Sequence, residues 1–197
     1  VRRCARGVLI PRFHYVNGLL SDSPRKSMQA MLARVTDPGF YQAFQHFITD
    51  APWDPQRLWR ALLKQLPERR GVLILDDTGF PKKGTHSVGV ARQYSGTLGK
   101  IGNCQVAVTA TLWTGARAWL IGAALSLPKE WCTTHAVARR AQARIPTTTV
   151  FEKKWQLALR LLRRARAAGL KVTAVVADTG YGDVTTFRTA LHRLKLA

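Results

Sequence analysis

Apolar residues recur at helical spacing through the first 70 positions of the chain. Three pairs, Ser23-Pro24, Asp37-Pro38 and Asp54-Pro55, place a capping residue before a proline at the first position of a helix. The apolar residues that follow them are Met28, Met31, Leu32 and Val35; then Phe40, Ala43, Phe44, Phe47 and Ile48; then Leu58, Leu62, Leu63 and Leu66. The pattern predicts an N-terminal helical region over residues 1–70.

After Gly71 the pattern becomes that of strands. Residues 71–75 form a short apolar run of the kind found in buried strands, and the run ends in Asp76 and Asp77. Further strand-like runs cover residues 88–94, 105–113 and 118–127, and glycine-bearing turns separate them. We therefore expect an antiparallel meander.

A helix and a second buried strand follow the meander. Trp155, Leu159 and Leu162 share one face of a helix that Gly169 ends. Residues 172–177 form an apolar run that ends in Asp178, and residues 184–194 predict a last, basic helix. The second part of the chain, residues 71–197, is thus predicted to be an α/β domain with a mixed sheet.

The charge of the chain narrows its possible partners. The 197 residues include 31 Lys and Arg against 11 Asp and Glu, a formal net charge of +20. A globular chain with such an excess of positive charge typically binds nucleic acid. The longest near-apolar run, residues 118–125, is far shorter than the roughly 20 residues that a membrane-spanning helix needs. Three widely spaced cysteines without a CxxC pair argue against a zinc site or a disulfide framework and indicate a reducing cytoplasm.

Two segments with the same sequence pattern carry the candidate chemistry. Asp77-Thr-Gly-Phe80 and Asp178-Thr-Gly-Tyr181 each follow an apolar strand. Acids at the ends of neighbouring strands lie at one sheet edge and could hold a divalent metal ion together. Asp76 is interpreted as a supporting neighbour, although periodicity does not settle whether Asp76 or Asp77 faces the metal. The competing interpretation is that these acids are turn formers or helix caps, above all for Asp178.

Basic residues near these acids are candidate contacts to a phosphate backbone. Lys82 and Lys83 follow the first acid directly, and Arg92 and Lys100 flank a glycine-rich segment. Four arginines on the predicted helix have no acid among them, and we expect Arg160, Arg163 and Arg164 to contact DNA. A solvated turn and a solvated helix face are the alternatives.

Residues 76–105, together with residues 41–53 and 176–182, resemble bacterial insertion-sequence transposases of the DDE class, the group labelled DDE-superfamily endonucleases. The resemblance implies a ribonuclease-H-like catalytic core behind an N-terminal helical region. It also implies three acids, Asp, Asp and Glu, that bind two Mg²⁺ or Mn²⁺ ions and cut and join DNA strands. Matched by motif, the first two acids are Asp77 and Asp178.

The chain departs from this pattern at the third acid. In the family the Glu lies well downstream of the second Asp, whereas this chain ends at Ala197 and has no Glu after Glu152. Glu130 and Glu152 precede the second Asp and do not match. We therefore expect the N-terminal and central part of a longer transposase, incomplete at its C-terminal end, and the missing Glu leaves open whether this chain is itself an active enzyme.

The leading interpretation is a DDE transposase fragment that, in its complete form, cleaves and transfers DNA strands with divalent metal. Its partners would be transposon ends and target DNA, with a second copy or a full-length transposase as protein partner. Its location would be the bacterial cytoplasm, at the nucleoid, without a membrane. An inactive DNA-binding remnant that regulates or inhibits a full-length transposase is the main alternative. A basic RNA-binding protein is a further one.

Overall fold

The computed structural model describes residues 13–35, 40–50 and 54–196. The chain divides into two compact units, Val1–Pro55 and Gln56–Ala197. The predicted domain boundary between residues 70 and 71 stays a prediction. Residues 56–65, which form most of the helix before that boundary, belong to the second unit. Among the described helices, none is both long and apolar enough to cross a membrane.

The first unit is helical in its described residues. Helix α1 covers residues 13–20, α2 covers Met28–Val35 and α3 covers Tyr41–Asp50. Buried Met31, Leu32 and Phe44 form its apolar core. Their spacing matches the predicted apolar faces of α2 and α3.

The start of α2 differs from the prediction. The helix begins at Met28 rather than after Ser23-Pro24, because Ser27 provides the cap: its Oγ accepts a hydrogen bond from the backbone N–H of Ala30 at 3.4 Å. The Ser23 hydroxyl instead donates to the carbonyl of Arg25 at 2.8 Å. The Asp37-Pro38 pair lies outside the described residues.

The second unit is a mixed five-stranded sheet with helices. Helix α4 covers Pro55–Gln65 and precedes strands β1 (Arg70–Pro81), β2 (Ala91–Ser95), β3 (Lys100–Trp113) and β4 (Ala118–Ser126). After α5 (Val137–Gln142) and α6 (Lys154–Ala167), β5 (Lys171–Ala177) joins the sheet, followed by α7 (Thr179–Gly182) and α8 (Thr185–Arg193). The strands run β2-β3-β1-β5, and β4 also pairs with β3.

Strand directions confirm the predicted meander and α/β class. Strand β3 pairs antiparallel with β1, β2 and β4, whereas β5 lies parallel to β1. A parallel neighbour requires a crossover, and α6 lies in the connection between β4 and β5. The order β4-β3-β1-β5 therefore combines an antiparallel meander with one parallel strand.

Strand β1 is longer than the sequence predicts. The apolar run predicted a strand that ends at Leu75, with Asp76 and Asp77 in the turn after it. That prediction is wrong, because β3 continues to pair with β1 as far as Pro81, opposite Cys104. The parallel pairing with β5 stops earlier, at Leu75 opposite Ala177. Asp77 thus lies within β1 but just beyond the last rung that β1 shares with β5.

One face of the sheet carries the main core. Leu73 and Leu75 of β1 pack there with buried residues of α6, among them Leu162, and with Phe187 of α8. Leu63 of α4 joins the same core. The apolar face predicted for α6 is confirmed, since Ala158, Leu159, Leu162 and Ala165 are all buried.

The connection from β4 to α6 forms a small cluster of its own. Two short 3₁₀ helices precede α5, and fully buried Trp131 packs there against Val90 and Leu127. The indole N–H of Trp131 donates to the carbonyl of Val90 at 2.9 Å. The guanidinium of Arg139 lies 3.7 Å from the centroid of the Trp131 ring. These contacts order the segment between β4 and α6.

Candidate metal and active site

Asp77 points from β1 to the face of the sheet that carries the core. Side chains alternate along a strand, so Asp77 shares the face of Leu73 and Leu75. Both carboxylate oxygens have partners: Oδ2 lies 2.6 Å from Nζ of Lys154, and Oδ1 accepts a 2.5 Å hydrogen bond from the hydroxyl of Tyr181. The side chain of Asp77 is 26% exposed, so its charge is only partly screened by water.

Asp178 caps the short helix that follows β5. Its backbone is extended, and its Oδ1 accepts a hydrogen bond from the backbone N–H of Tyr181 at 3.2 Å. The competing interpretation of Asp178 as a cap is therefore confirmed, although for α7 rather than for the last helix. Helix α8 begins after Val184, and Asp183 does not cap it with its side chain.

Tyr181 joins the two aspartates. It is 3% exposed, its backbone N–H donates to Asp178 and its hydroxyl donates to Asp77. Burial raises the pKa of this phenol far above its ordinary value, and so do the hydrogen bond to Asp77 and the charges of Asp77, Asp178 and Asp76. Tyr181 therefore remains a neutral donor, because the negative charges of the three acids oppose its ionisation.

Asp76 and Asp77 lie on opposite faces of β1. Asp76 is exposed, and its carbonyl accepts a hydrogen bond from the hydroxyl of Thr109 at 3.1 Å. Its Oδ1 also accepts the backbone N–H of Asp77 at 2.7 Å. Asp77 is thus the member of the pair that lines the cleft described next.

A cleft of about 470 Å³ contains both candidate metal ligands. Residues that share it come from β1, β2, the start of α6 and the segment after β5: Asp77, Gln93, Glu152, Lys153, Lys154, Trp155, Asp178 and Tyr181. The sequence predicted that the two aspartates meet, and in the structure they line one cleft. Because the cleft also carries two lysines, it combines acids that attract cations with bases that attract phosphate.

The donor set of the cleft fits one hard divalent cation. Two carboxylates supply hard oxygen ligands, and Mg²⁺ in proteins commonly binds one or two carboxylates with water and phosphate oxygens completing its shell. The ammonium of Lys154, 2.6 Å from Asp77, shows that this position favours positive charge. Within residues 13–35, 40–50 and 54–196, no three or more His, Cys, Asp or Glu side chains are grouped so as to hold a metal. The two aspartates, taken by themselves, suit a single ion.

The basic residues singled out in the sequence do not share one environment. Lys82 and Lys83 are exposed in the turn after β1, and Asn103 fixes that turn by donating to the carbonyls of Lys82 and Gly84. Arg92 and Lys100 are exposed on β2 and at the start of β3. None of these four residues lines the cleft that contains the aspartates.

The three arginines of α6 that we expected to contact DNA differ from one another. Arg160 forms an ion pair with Glu152 at 3.1 Å, and Arg163 is exposed. Arg164 turns inward: its guanidinium lies 5.7 Å from the centroid of the Trp59 ring, and its Nη2 is buried without a hydrogen-bond partner. Burial and, second, the charge of Arg160 lower the pKa of Arg164. Arg164 is therefore poorly placed for a phosphate contact.

Sequence reasoning missed Lys154, Gln93 and the role of the Tyr181 hydroxyl. Tyr181 follows the second Asp-Thr-Gly sequence, and its hydroxyl was the one sequence feature that could have indicated a hydrogen bond to an aspartate. Lys154 and Gln93 belong to α6 and β2, and only the folded sheet brings them to Asp77. Glu152 was dismissed because of its place in the sequence, yet it lines the same cleft.

Fold and site together define a mixed α/β protein with paired aspartates at a sheet edge. The family model described as DDE superfamily endonuclease matches residues 13–197. A probable transposase for insertion sequence element IS701 from Microchaete diplosiphon is 30% identical over 176 residues, which are 87% of this chain and 43% of that protein. The chain thus belongs to the DDE superfamily endonucleases, and it spans less than half the length of this curated relative. No solved structure matches it.

Proposed function

We propose that this protein is a metal-dependent DNA endonuclease of the transposase kind, with Asp77 and Asp178 as ligands of a divalent cation. The observation that carries the proposal is the convergence of two Asp-Thr-Gly segments on one cleft, where Tyr181 hydrogen-bonds to both acids. Family membership and the likeness to a transposase support it. The net charge of +20 supports DNA as the partner.

The topology supports a ribonuclease-H-like core. Three antiparallel strands in the order β4-β3-β1 lie beside β5, which is parallel to β1. The first aspartate stands on the central strand β1, and the second follows the parallel neighbour β5. We propose that this sheet is the catalytic platform.

We propose Mg²⁺ or Mn²⁺ as the cation. When bound, such an ion stabilises the negative charge that develops on a phosphate during displacement. The residues of this chain hold the two carboxylates in position. The Tyr181 hydroxyl orients the Asp77 carboxylate, and the backbone N–H of Tyr181 fixes Asp178. Lys153 and Lys154 line the cleft and attract the phosphate backbone.

A second candidate function is DNA binding without cleavage, as in a regulator of a full-length transposase. The engagement of both Asp77 oxygens by Lys154 and Tyr181 favours it, as does the lack of a third grouped acid among the described residues. Such a protein would bind DNA through its excess of basic residues. It would show no metal-dependent nicking.

A nicking assay separates the two candidates. Supercoiled plasmid is incubated with Mg²⁺, Mn²⁺ or EDTA and with wild type, Asp77→Asn, Asp178→Asn or Asp183→Asn. We expect metal-dependent nicking that each of the first two substitutions reduces at least about 100-fold, since loss of a metal ligand costs more than loss of an outer partner. Asp183 is exposed at the end of α7 and outside the cleft, so Asp183→Asn serves as the matched control.

Binding without nicking in any metal would favour the regulator. Nicking that survives both Asp77→Asn and Asp178→Asn would contradict the proposed site. DNA affinity, measured for the same proteins, shows whether a loss of nicking arises at the chemical step or at binding.

A further inference from the structure

A groove between α6 and α8 opens beside the cleft of the aspartates. It has a volume of about 470 Å³, and its lining includes Trp155, Arg163, Thr185, Thr189 and Arg193. Trp155 also lines the cleft that holds Asp77 and Asp178. The two cavities therefore share Trp155.

The groove itself is positively charged, although Glu152 shares a neighbouring cavity with Arg163. Arg163 and Arg193 line it, and no acidic residue does. Neither guanidinium forms a hydrogen bond or ion pair with any other residue in the part of the chain that the structure describes. Their neighbours differ: Arg160 is paired with Glu152, and Arg166 donates to the carbonyl of Leu194 at 3.2 Å. Arg163 and Arg193 are thus available to an anionic ligand.

Trp155 provides a flat aromatic surface at the junction of the cavities. It packs against the main core and is only partly exposed, so its ring is held in place by its neighbours. Bases of single-stranded nucleic acid stack on such rings whatever their sequence. Threonine hydroxyls of α8 add neutral hydrogen-bond donors along the same groove.

We infer that the groove binds an unpaired DNA strand as it leaves the cleft, with a base on Trp155 and phosphates on Arg163 and Arg193. This inference rests on the proposed function. An unpaired strand fits better than a duplex for two reasons. Packed helices lie only about 8–10 Å apart, and the face of a base is free to stack on Trp155 only where the strand is not stacked in a duplex.

Fluorescence anisotropy tests the arginines. The probes are a blunt duplex and the same duplex with a three-nucleotide single-stranded tail, each carrying a dye. The double variant Arg163→Gln/Arg193→Gln is compared with Arg117→Gln, whose arginine is exposed in the turn between β3 and β4 and lies outside the groove. We expect the double variant to bind the tailed DNA at least about tenfold more weakly. We also expect a salt slope that is shallower by about 1.4 for two lost contacts.

The blunt duplex provides the internal reference. Its affinity should change no more in the double variant than in Arg117→Gln. Equal losses for tailed and blunt DNA, or equal losses for the double variant and Arg117→Gln, would overturn the inference, because the groove would then act only as general positive charge.

Trp155 is tested by substitution and by cross-linking. Trp155→Leu should weaken binding of the tailed DNA about 5- to 150-fold, and Trp155→Phe should restore most of it. Because Trp155 touches the core, thermal unfolding of both variants checks that they are folded. A tail that contains 5-iododeoxyuridine should cross-link on irradiation to the peptide that carries Trp155, whereas cross-linking only to other peptides would overturn the assignment.

The outcomes distinguish the inference from the proposed function. If nicking depends on Asp77 but the groove variants bind the tailed DNA as wild type does, the inference is wrong and the proposed function stands. Absence of salt-sensitive DNA binding by the wild type removes both.

Discussion

The two Asp-Thr-Gly-aromatic segments have nearly the same sequence and different structures. Residues 77–80 remain extended because β3 pairs with every one of them. Residues 178–181 have no strand to pair with beyond Ala177, and they turn into α7 with Asp178 as the cap. The aromatic residues separate accordingly: Phe80 is 47% exposed, whereas Tyr181 is 3% exposed and reaches Asp77. Tertiary pairing, not local sequence, thus decides what each segment does.

Alanine substitution of the two aromatics should show the largest difference. Tyr181→Ala removes a buried ring and its contact with Phe187, and we expect a loss of about 3–5 kcal/mol in the free energy of unfolding. Phe80→Ala, on the exposed side of β1, should cost less than about 1 kcal/mol. Urea unfolding followed by circular dichroism measures both. Equal losses would show that α7 is not packed as described.

Substitution of the glycine in each segment should give the next largest loss of stability. A Cβ at Gly79 would lie 2.2 Å from Oγ of Ser95, a clash that requires β1 or the Ser95 segment to shift. We expect Gly79→Ala to cost about 1–3 kcal/mol. A Cβ at Gly180 would lie 3.3 Å from Oδ1 of Asp178, so Gly180→Ala should cost less.

A second substitution tests whether the contact with Ser95 causes the loss of stability in Gly79→Ala. Ser95→Gly removes the hydroxyl that the new Cβ would meet, and in the Gly79→Ala background it should recover part of the loss. A double-mutant cycle in urea measures this coupling. Additive effects would contradict the close approach of β1 and Ser95.

The capping role of Asp178 can be separated from its role as a proposed ligand. Asp178→Ala should lower stability by about 1 kcal/mol because α7 loses its cap, whereas Asp178→Ser keeps an acceptor and should cost less. Both should lose metal binding, since neither retains the carboxylate. A serine variant that still binds metal as wild type does would show that Asp178 serves only as a cap.

The last expected effect concerns pH and is absent at neutral pH. The folded pKa of Tyr181 is raised, so the folded protein keeps a proton that the unfolded chain loses above about pH 10. The stabilisation is complete below that pH and falls as the pH rises further, by about 1.4 kcal/mol per pH unit. Tyr181→Phe should lack this component. Parallel slopes for the two proteins between pH 9.5 and 11 would contradict the neutral, buried phenol.

The sequence predicted the main elements because their apolar patterns are strong. The meander, α6 and β5 were found from residues whose burial the pattern encodes, such as Leu73 in β1 and Leu162 in α6. The end of β1 was missed, because Asp76 and Asp77 resemble a turn locally and stay extended only through β3. The start of α2 was predicted too early, because Ser23-Pro24 has the sequence of a helix start. The residue that caps the helix is Ser27.

The candidate site was predictable only in part. The repeated motif identified Asp77 and Asp178, and the sheet brings them to one cleft. Lys154 could not be found, because its contact with Asp77 depends on how α6 lies over the sheet and not on any local pattern. Arg164 looked like its exposed neighbours, and only its packing against Trp59 sets it apart.

The most direct test of the proposed cation site is a titration with Mn²⁺, in which electron paramagnetic resonance measures the free ion. We expect one bound ion per chain of wild type. Affinity should be at least about tenfold lower in both Asp77→Asn and Asp178→Asn, and unchanged in Asp183→Asn. Binding that neither substitution weakens would contradict the claim that the two Asp-Thr-Gly segments converge to form a cation site.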